Sequence, residues 1–303
     1  MKKNIFKTLF KDSFSFGKEK NHKKENASFF QGDVEFILKI IEDNDLNFGK
    51  NIFEKWSKKK DNQKNHYFKW NKSTPKRLTG LYLNNLNIRK LEIPADNQIV
   101  ALHCCNNKLV ELNLSGFPYL WDLQCSNNKI EKLDVSQCKN LRQIDLSKNE
   151  IATLNFSSNV NLTSVICTQN KIRDLHFSPQ NKVEYLDCSF NFLDKENMKL
   201  NQYEAVRYFY CMRNNLDELD LKHFPNLYYL DCSFNEIKEL NLYYCMDLII
   251  LDCTNNRLNT LDVSPCRYLE NLVCTENPLK EVFTAPSQKL LLAETGEAKL
   301  VIR

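Results

Sequence analysis

The sequence repeats itself with a period of 21 residues over most of its length. An asparagine marks the same position in nine successive repeats, and its spacing departs from 21 only once, where it is 23. The nine are Asn107, Asn128, Asn149, Asn170, Asn191, Asn214, Asn235, Asn256 and Asn277. One such unit cannot bury its own apolar side chains, whereas stacked units can. The regular period therefore predicts a solenoid.

Each repeat contains two short apolar segments, one on either side of the asparagine. In one unit the apolar positions are Leu120, Leu123, Cys125, Ile130, Leu133 and Val135. The alternation in the first segment predicts a short strand with one side facing inward. The asparagine follows where the chain must bend, and its amide can satisfy backbone groups that the bend leaves unpaired.

A cysteine stands three residues before eight of the nine asparagines, and Leu146 takes its place in the remaining repeat. The eight are Cys104, Cys125, Cys167, Cys188, Cys211, Cys232, Cys253 and Cys274. Their spacing follows the repeat and not the C-x-x-C pattern of a zinc site, so packing as small apolar residues is the main interpretation. Stacked thiols would be exposed to cross-linking in an oxidising compartment, which favours a reducing cytosol.

These residues resemble the leucine-rich repeat family, in the short bacterial class whose two L-x-L-like halves alternate within 21 residues. A degenerate first copy begins at Leu78, with Leu86 where the asparagine is expected. The resemblance implies an α/β-type repeat solenoid dominated by β. Its main feature would be a curved parallel sheet of about ten coils, with a small helical N-terminal cap. It also implies that the concave face binds a partner, usually a protein, but it names no partner.

The chain is expected to divide into four segments. Residues 1–32 form a basic tail expected to be disordered, 33–77 a helical N-terminal cap, 78–289 the repeat array and 290–303 a C-terminal cap. Asp33 is predicted to be the N-cap of a first helix, and a second helical piece is expected around Ile52, Phe53 and Trp56. Thr295 and Gly296 predict a hairpin-like turn in the C-terminal cap.

Charge is distributed unequally along the chain. Residues 1–77 carry 19 basic and 10 acidic side chains, and the remainder carries 23 basic and 28 acidic side chains. The segment before the repeats is then either a solenoid cap with a solvated basic surface or a docking element for acidic lipid or another anion. The docking alternative would use Lys55, Lys58, Lys59 and Lys60. Nothing in the sequence resembles a nucleic-acid-binding module.

The outward positions of the repeated strand differ along the array. The repeats around residues 185–250 gather aromatic and charged side chains that are typical of protein interfaces. The predicted partner-binding residues are Tyr185, Tyr208, Tyr210, Met212, Arg213, Tyr228, Tyr229, Asp231, Phe234 and Ile250. The sequence allows two interpretations: a binding patch, or stacked tyrosines that only stabilise neighbouring strands.

The sequence favours a protein-interaction module over an enzyme, and no cofactor or metal site is predicted. The one candidate for covalent chemistry is His103 with Cys105, which lie two positions apart on the same outward face, but no third group is evident to orient them. No conventional signal peptide and no membrane span are recognised, so the expected location is the cytoplasm, or a host cytosol if the protein is a bacterial effector. The oligomeric state stays open.

Overall fold

The computed structural model describes residues 29–46, 67–197 and 203–303. These residues form a solenoid that contains one helix, α1 (Gln31–Asp43), and seventeen short strands. The strands are β1 (Phe68–Trp70), β2 (Leu78–Tyr82), β3 (Ala101–His103), β4 (Asp122–Gln124), β5 (Gln143–Asp145), β6 (Thr153–Phe156), β7 (Ser164–Ile166), β8 (Asp174–Phe177), β9 (Tyr185–Asp187), β10 (Tyr208–Tyr210), β11 (Tyr229–Asp231), β12 (Ile250–Asp252), β13 (Leu261–Asp262), β14 (Asn271–Val273), β15 (Glu281–Thr284), β16 (Leu292–Glu294) and β17 (Lys299–Ile302).

One twelve-stranded sheet runs the length of the solenoid, in the order β1-β2-β3-β4-β5-β7-β9-β10-β11-β12-β14-β16. Strand β1 is antiparallel to β2, and the other neighbours are parallel. The pairing follows the sequence period, so that Leu102 lies beside Leu123 and Tyr208 beside Tyr229. Two small sheets, β6–β8 and β13–β15–β17, form from the second half of some coils. This architecture confirms the predicted repeat solenoid.

The recurring asparagines hold successive coils together. Asn149 is buried, and its Nδ2 donates hydrogen bonds to the carbonyls of Leu146 in its own coil and Cys125 in the coil before. Its Oδ1 accepts the backbone N–H of Ile130, which also belongs to the coil before. The same set recurs at Asn128 and Asn170. Each amide thus satisfies buried backbone groups of two coils, as the sequence predicts.

The cysteine column lies inside the solenoid. All twelve cysteines of the chain are buried and none is in a disulfide. Burial raises the pKa of the thiols well above its usual range at Cys125, Cys188 and Cys211, so they are uncharged at neutral pH. Leu146 fills the same column with no exposed surface. The thiols therefore serve as apolar packing groups in the core.

Helix α1 packs its apolar side over the start of the array, where Phe36, Ile37, Ile40 and Ile41 join the continuous core. The helix begins at Gln31 after Phe30, so the prediction that Asp33 is the N-cap is wrong. Asp33 instead lies in the first turn and bonds to residues distant in sequence, a partnership that local capping rules do not reveal. The predicted helical piece around residues 52–56 falls outside the described residues, as do Lys55, Lys58, Lys59 and Lys60.

The C-terminal residues add another coil and not a hairpin. Strand β16 pairs with β14, and β17 pairs with β15, both in parallel, and β16 and β17 belong to different sheets. The prediction of a hairpin-like turn is therefore wrong. Gly296 does adopt a left-handed φ of 63°, but the turn it makes connects the two halves of one coil. The repeat pattern persists structurally where the sequence no longer displays it.

The 23-residue coil is filled by an aromatic residue. Tyr203 is fully buried, with its ring stacked 5.2 Å from that of Phe224 and edge-on to Phe177 at 5.7 Å. Phe156 and Phe209 extend this stack on either side. Met198 and Leu200, which belong to the same coil, fall outside the described residues. The aromatic stack lies behind strands β9 and β10, and it supports the part of the sheet that carries the candidate site.

Candidate functional site

Four tyrosines and an isoleucine line the outward face of strands β9 to β12. Tyr185, Tyr208, Tyr229 and Ile250 are registered neighbours, one from each strand. Tyr210 lies in the adjacent column, with its ring 5.4 Å from that of Tyr185 and 4.7 Å from that of Tyr229. We call these five residues the tyrosine patch. Its rings contact one another along the sheet.

The tyrosine patch remains accessible to solvent. Tyr208 is 41% exposed, and its four companions are partly exposed. Partial burial raises the pKa of Tyr185 and Tyr229 to about 12, so their hydroxyls are protonated and neutral at physiological pH. A row of neutral phenols offers apolar ring faces together with hydroxyls that can donate or accept hydrogen bonds. Such a surface suits contact with a polypeptide.

Aspartates flank the tyrosine patch at the carboxyl ends of its strands. Asp187, Asp231 and Asp252 lie in the same outward column as Tyr210. In Asp231 one carboxylate oxygen, Oδ1, accepts hydrogen bonds from the backbone N–H and the hydroxyl of Ser233. Burial raises the pKa of Asp187 and Asp231, and the charges of neighbouring aspartates add to the rise. These carboxylates are therefore fixed in orientation and incompletely solvated.

One edge of the tyrosine patch carries a stack of Phe190, Arg213 and Phe234. The Arg213 guanidinium lies 4.2 Å from the ring centre of Phe234 and 5.6 Å from that of Phe190. All three residues have a left-handed backbone, with φ between 51° and 55°. The corresponding position in other coils is Asn106, Asn127, Lys148, Gln169, Asn255 and Glu276. Asparagine tolerates this conformation better than a bulky residue does, so the exposed aromatic pair is retained at an energetic cost.

The structure brings most of the predicted partner-binding residues together. Tyr185, Tyr208, Tyr210, Tyr229, Ile250, Met212 and Asp231 share one face, and Arg213 and Phe234 lie at one edge of it. Tyr228 comes just before β11, where its ring lies 5.4 Å from the guanidinium carbon of Arg207. The arrangement is a continuous surface in the structure.

Several exposed aromatic residues were not predicted as site residues. Phe192 is 43% exposed and lies 5.2 Å from the guanidinium carbon of Arg173. Tyr119 and Trp121 border a surface hollow of about 440 Å³, and Tyr243 and Tyr268 are exposed farther along the solenoid. All occupy variable positions of the repeat, and this variability is the sequence signal that could have identified them. The hollow is open, so it does not resemble an enclosed small-molecule site.

The pair His103 and Cys105 does not have the features of an activated thiol. A third group is present after all, because Nε2 of His103 lies 2.7 Å from Oδ2 of Asp122. However, the interactions of the Cys105 thiol are with Ser126, and burial raises its pKa. A nucleophilic cysteine requires the opposite shift. Among residues 29–46, 67–197 and 203–303, no group of three or more His, Cys, Asp or Glu side chains could hold a metal ion.

Helix α1 is too short to cross a bilayer, and the described part of the chain contains no other helix that could. No protein-family model matches the chain. No curated protein matches it either.

Solved structures with the same fold include leucine-rich repeat proteins. The functional domain of InlJ from Listeria monocytogenes, which includes a cysteine ladder, is 27% identical with a TM-score of 0.59; the match covers 75% of this chain and 53% of that chain. The LRR protein LIC12759 of Leptospira interrogans is 21% identical with a TM-score of 0.64. The match covers 75% of this chain and 62% of that chain. The chain thus spans less than two thirds of either neighbour.

A more distant neighbour was solved with a partner. It is the LRR ectodomain of the plant membrane receptor kinase GASSHO1/SCHENGEN3 from Arabidopsis thaliana, in complex with CASPARIAN STRIP INTEGRITY FACTOR 2. It is 15% identical with a TM-score of 0.62, and the match covers 88% of this chain and 41% of that one. The shared solenoid, the 21-residue spacing and the internal ladders show that this chain has the leucine-rich repeat fold.

Proposed function

We propose that this chain is a protein-interaction module that binds a protein or peptide partner on the concave face of its repeat array. The observation that carries the proposal is the tyrosine patch, a contiguous set of partly exposed side chains on strands β9 to β12. Tyrosine provides large contact area at a small entropic cost and is enriched among residues that dominate binding energy. The strained Phe190 and Phe234 beside the patch support the same role, because strain retained at exposed residues is characteristic of functional sites.

Two further observations support a role as a binding scaffold. The plant receptor ectodomain with this fold was solved in complex with Casparian strip integrity factor 2. In addition, the sheet surface is open, which suits a macromolecule better than a small substrate. The twelve buried, unpaired thiols fit a reducing compartment, either a bacterial cytoplasm or a host cytosol reached as an effector.

The alternative is a membrane- or anion-docking adaptor that uses the basic segment before the repeats. The excess of basic side chains in residues 1–77 favours it. This alternative predicts binding to vesicles that contain anionic lipid, and that binding would disappear as salt is added, because exposed charges are screened. Binding through the tyrosine patch would survive moderate salt.

The experiment is an affinity capture from candidate cell lysates, with the bound proteins quantified by mass spectrometry. The test variant combines Tyr208→Ala, Tyr210→Ala and Tyr229→Ala. The matched control combines Tyr243→Ala and Tyr268→Ala, which also remove exposed tyrosine rings but away from the patch. Circular dichroism establishes that each variant is folded. We expect a partner that is retained by wild type and control and lost by the test variant; equal retention by all three would overturn the proposal.

A further inference from the structure

The face that carries the tyrosine patch is acidic, although the whole chain has a net charge of +4. Three outward columns run along this face, beginning at Gly80, Tyr82 and Asn84 and continuing at the registered positions of every following coil. Over the ten coils from β2 to β14 these columns contain five aspartates and no lysine or arginine: Asp122, Asp145, Asp187, Asp231 and Asp252. The lysines and arginines of these coils stand at other positions, outside the three columns.

Four of these carboxylates have no cationic partner. Asp122 is next to His103, but the other four form no ion pair with lysine or arginine among the residues that the structure describes. One oxygen of each, Oδ1, accepts the N–H of the residue two positions later, at Ser147, Ser189, Ser233 and Thr254. Oδ2 of each accepts no hydrogen bond from the residues that the structure describes.

Two arginines border the acidic columns beside the tyrosine patch. Arg207 comes just before β10, and Arg213 follows the same strand by three residues at the edge that carries Phe190 and Phe234. A bound segment with positive charge would be repelled at both edges and attracted between them. Such an arrangement favours one path for the segment, across the strands and along the aspartates.

We propose that the tyrosine patch and its flanking aspartates recognise an extended segment of the partner that carries lysine or arginine side chains. The inference rests on the proposed function and specifies the chemistry of the partner. The aliphatic stem or guanidinium plane of such a side chain would lie on a tyrosine ring, and its cationic end would reach Asp187, Asp231 or Asp252. Strands β9 to β14 extend over roughly 19 Å at about 4.8 Å per strand, which about six extended residues can span.

The experiment is selection of a random twelve-residue peptide library, displayed on phage, against the full chain. Affinities of the enriched peptides are then measured by fluorescence anisotropy for wild type and three variants. The first variant combines Asp187→Asn and Asp231→Asn, which preserve an oxygen to accept the backbone N–H of Ser189 and Ser233. The second is Tyr210→Ala. The control is Asp134→Asn, since Asp134 makes the same hydrogen bond to the N–H of Ser136 elsewhere on the coil.

We expect enriched peptides to be rich in lysine and arginine. Affinity should fall about tenfold or more in the aspartate variant and in Tyr210→Ala, and stay unchanged in the control. Enriched peptides that lose affinity in Tyr210→Ala but carry no excess of basic residues would overturn this inference and leave the proposed function intact. Peptides whose binding is indifferent to Tyr210→Ala would overturn both.

Discussion

The carboxylate of Asp33 lies 2.9 Å from Nε of Arg77 and accepts the backbone N–H of Leu78 at 2.8 Å. Asp33 is in the first turn of α1, only 2% exposed, and Leu78 opens the first strand of the repeat array. Nη2 of the guanidinium also donates a hydrogen bond to the backbone carbonyl of Asp96, and the ring centre of Phe30 lies 3.9 Å from the guanidinium carbon. One buried carboxylate therefore links the N-terminal helix to the solenoid.

Substitution of Asp33 should weaken the attachment of helix α1 to the repeat array. Asp33→Ala leaves the half-buried guanidinium of Arg77 without its main carboxylate partner and the buried N–H of Leu78 without its acceptor, and we expect a loss of about 3 kcal/mol in the free energy of unfolding. Urea unfolding followed by circular dichroism measures it. The control is Glu92→Ala, whose ion pairs with Lys39 and Lys90 are exposed and should contribute little. Equal effects of the two substitutions would contradict the assigned role of Asp33.

The asparagine ladder offers a second test. Asn170→Ala removes a side chain that donates to the carbonyls of Leu146 and Cys167 and accepts the N–H of Ile151. These backbone groups are buried and cannot form hydrogen bonds with water instead, so we expect the free energy of unfolding to fall by about 3 kcal/mol. Asn161→Ala is the control, because its exposed side chain makes only a 3.3 Å hydrogen bond, to the carbonyl of Lys139. This substitution should change the free energy of unfolding by less than about 0.5 kcal/mol. Urea midpoints and slopes measured together separate lost stability from lost cooperativity.

The thiol column can be tested by chemical reactivity. Burial raises the pKa of Cys138 and Cys245 to about 12, and deeper thiols are shifted further, so the reactive thiolate is scarce and inaccessible. We expect Ellman's reagent to react slowly with the folded protein and to titrate all twelve cysteines once urea is added. Rapid reaction of several thiols in the folded protein would show that the column is open to solvent.

The sequence predicted the coils because each period fixes both a register and a burial pattern. Residues 21 apart become lateral neighbours, so the period alone predicts that Leu123, Cys125 and Asn128 face inward, as they do in the structure. Features outside the period were harder to predict. The partners of Asp33 lie more than 40 residues away, and the strands β16 and β17 no longer display the repeat motif. The tyrosine patch could be predicted because the outward positions of the strands vary from repeat to repeat. The stack of Phe190, Arg213 and Phe234 depends on left-handed backbone angles, which the amino-acid sequence does not reveal.

Phe234 gives a test that separates binding from folding. Its φ of 55° is unfavourable for a bulky side chain and is better tolerated by asparagine, which stands at this position as Asn255 in the next coil. Phe234→Asn relieves backbone strain but loses the contact with Arg213, and the two effects, each about 1 kcal/mol, should nearly cancel. We expect unchanged thermal stability together with weaker partner binding. A large loss of stability would show that the ring is a structural support.

The aspartates beside the tyrosine patch should give a pH dependence of unusual sign. The pKa values of Asp187 and Asp231 are raised in the folded chain by burial, so the folded state holds protons that the unfolded state has already released. Their contribution to stability is therefore present at low pH and is lost as the pH rises through the folded pKa. The double variant Asp187→Asn, Asp231→Asn should match wild type near pH 3 and be more stable than wild type at pH 7.

Asp134 should behave in the opposite way and so serves as the control. Hydrogen bonds from Ser136 lower its pKa, which makes its charged form stabilising. Asp134→Asn should therefore be less stable than wild type at pH 7 and converge with it as the pH falls through the folded pKa. Urea unfolding of the three proteins between pH 3 and pH 7 gives both trends. If removing the charges of Asp187 and Asp231 lowered stability at pH 7, these carboxylates would be structural groups, and their position beside the tyrosines would no longer point to a cationic partner.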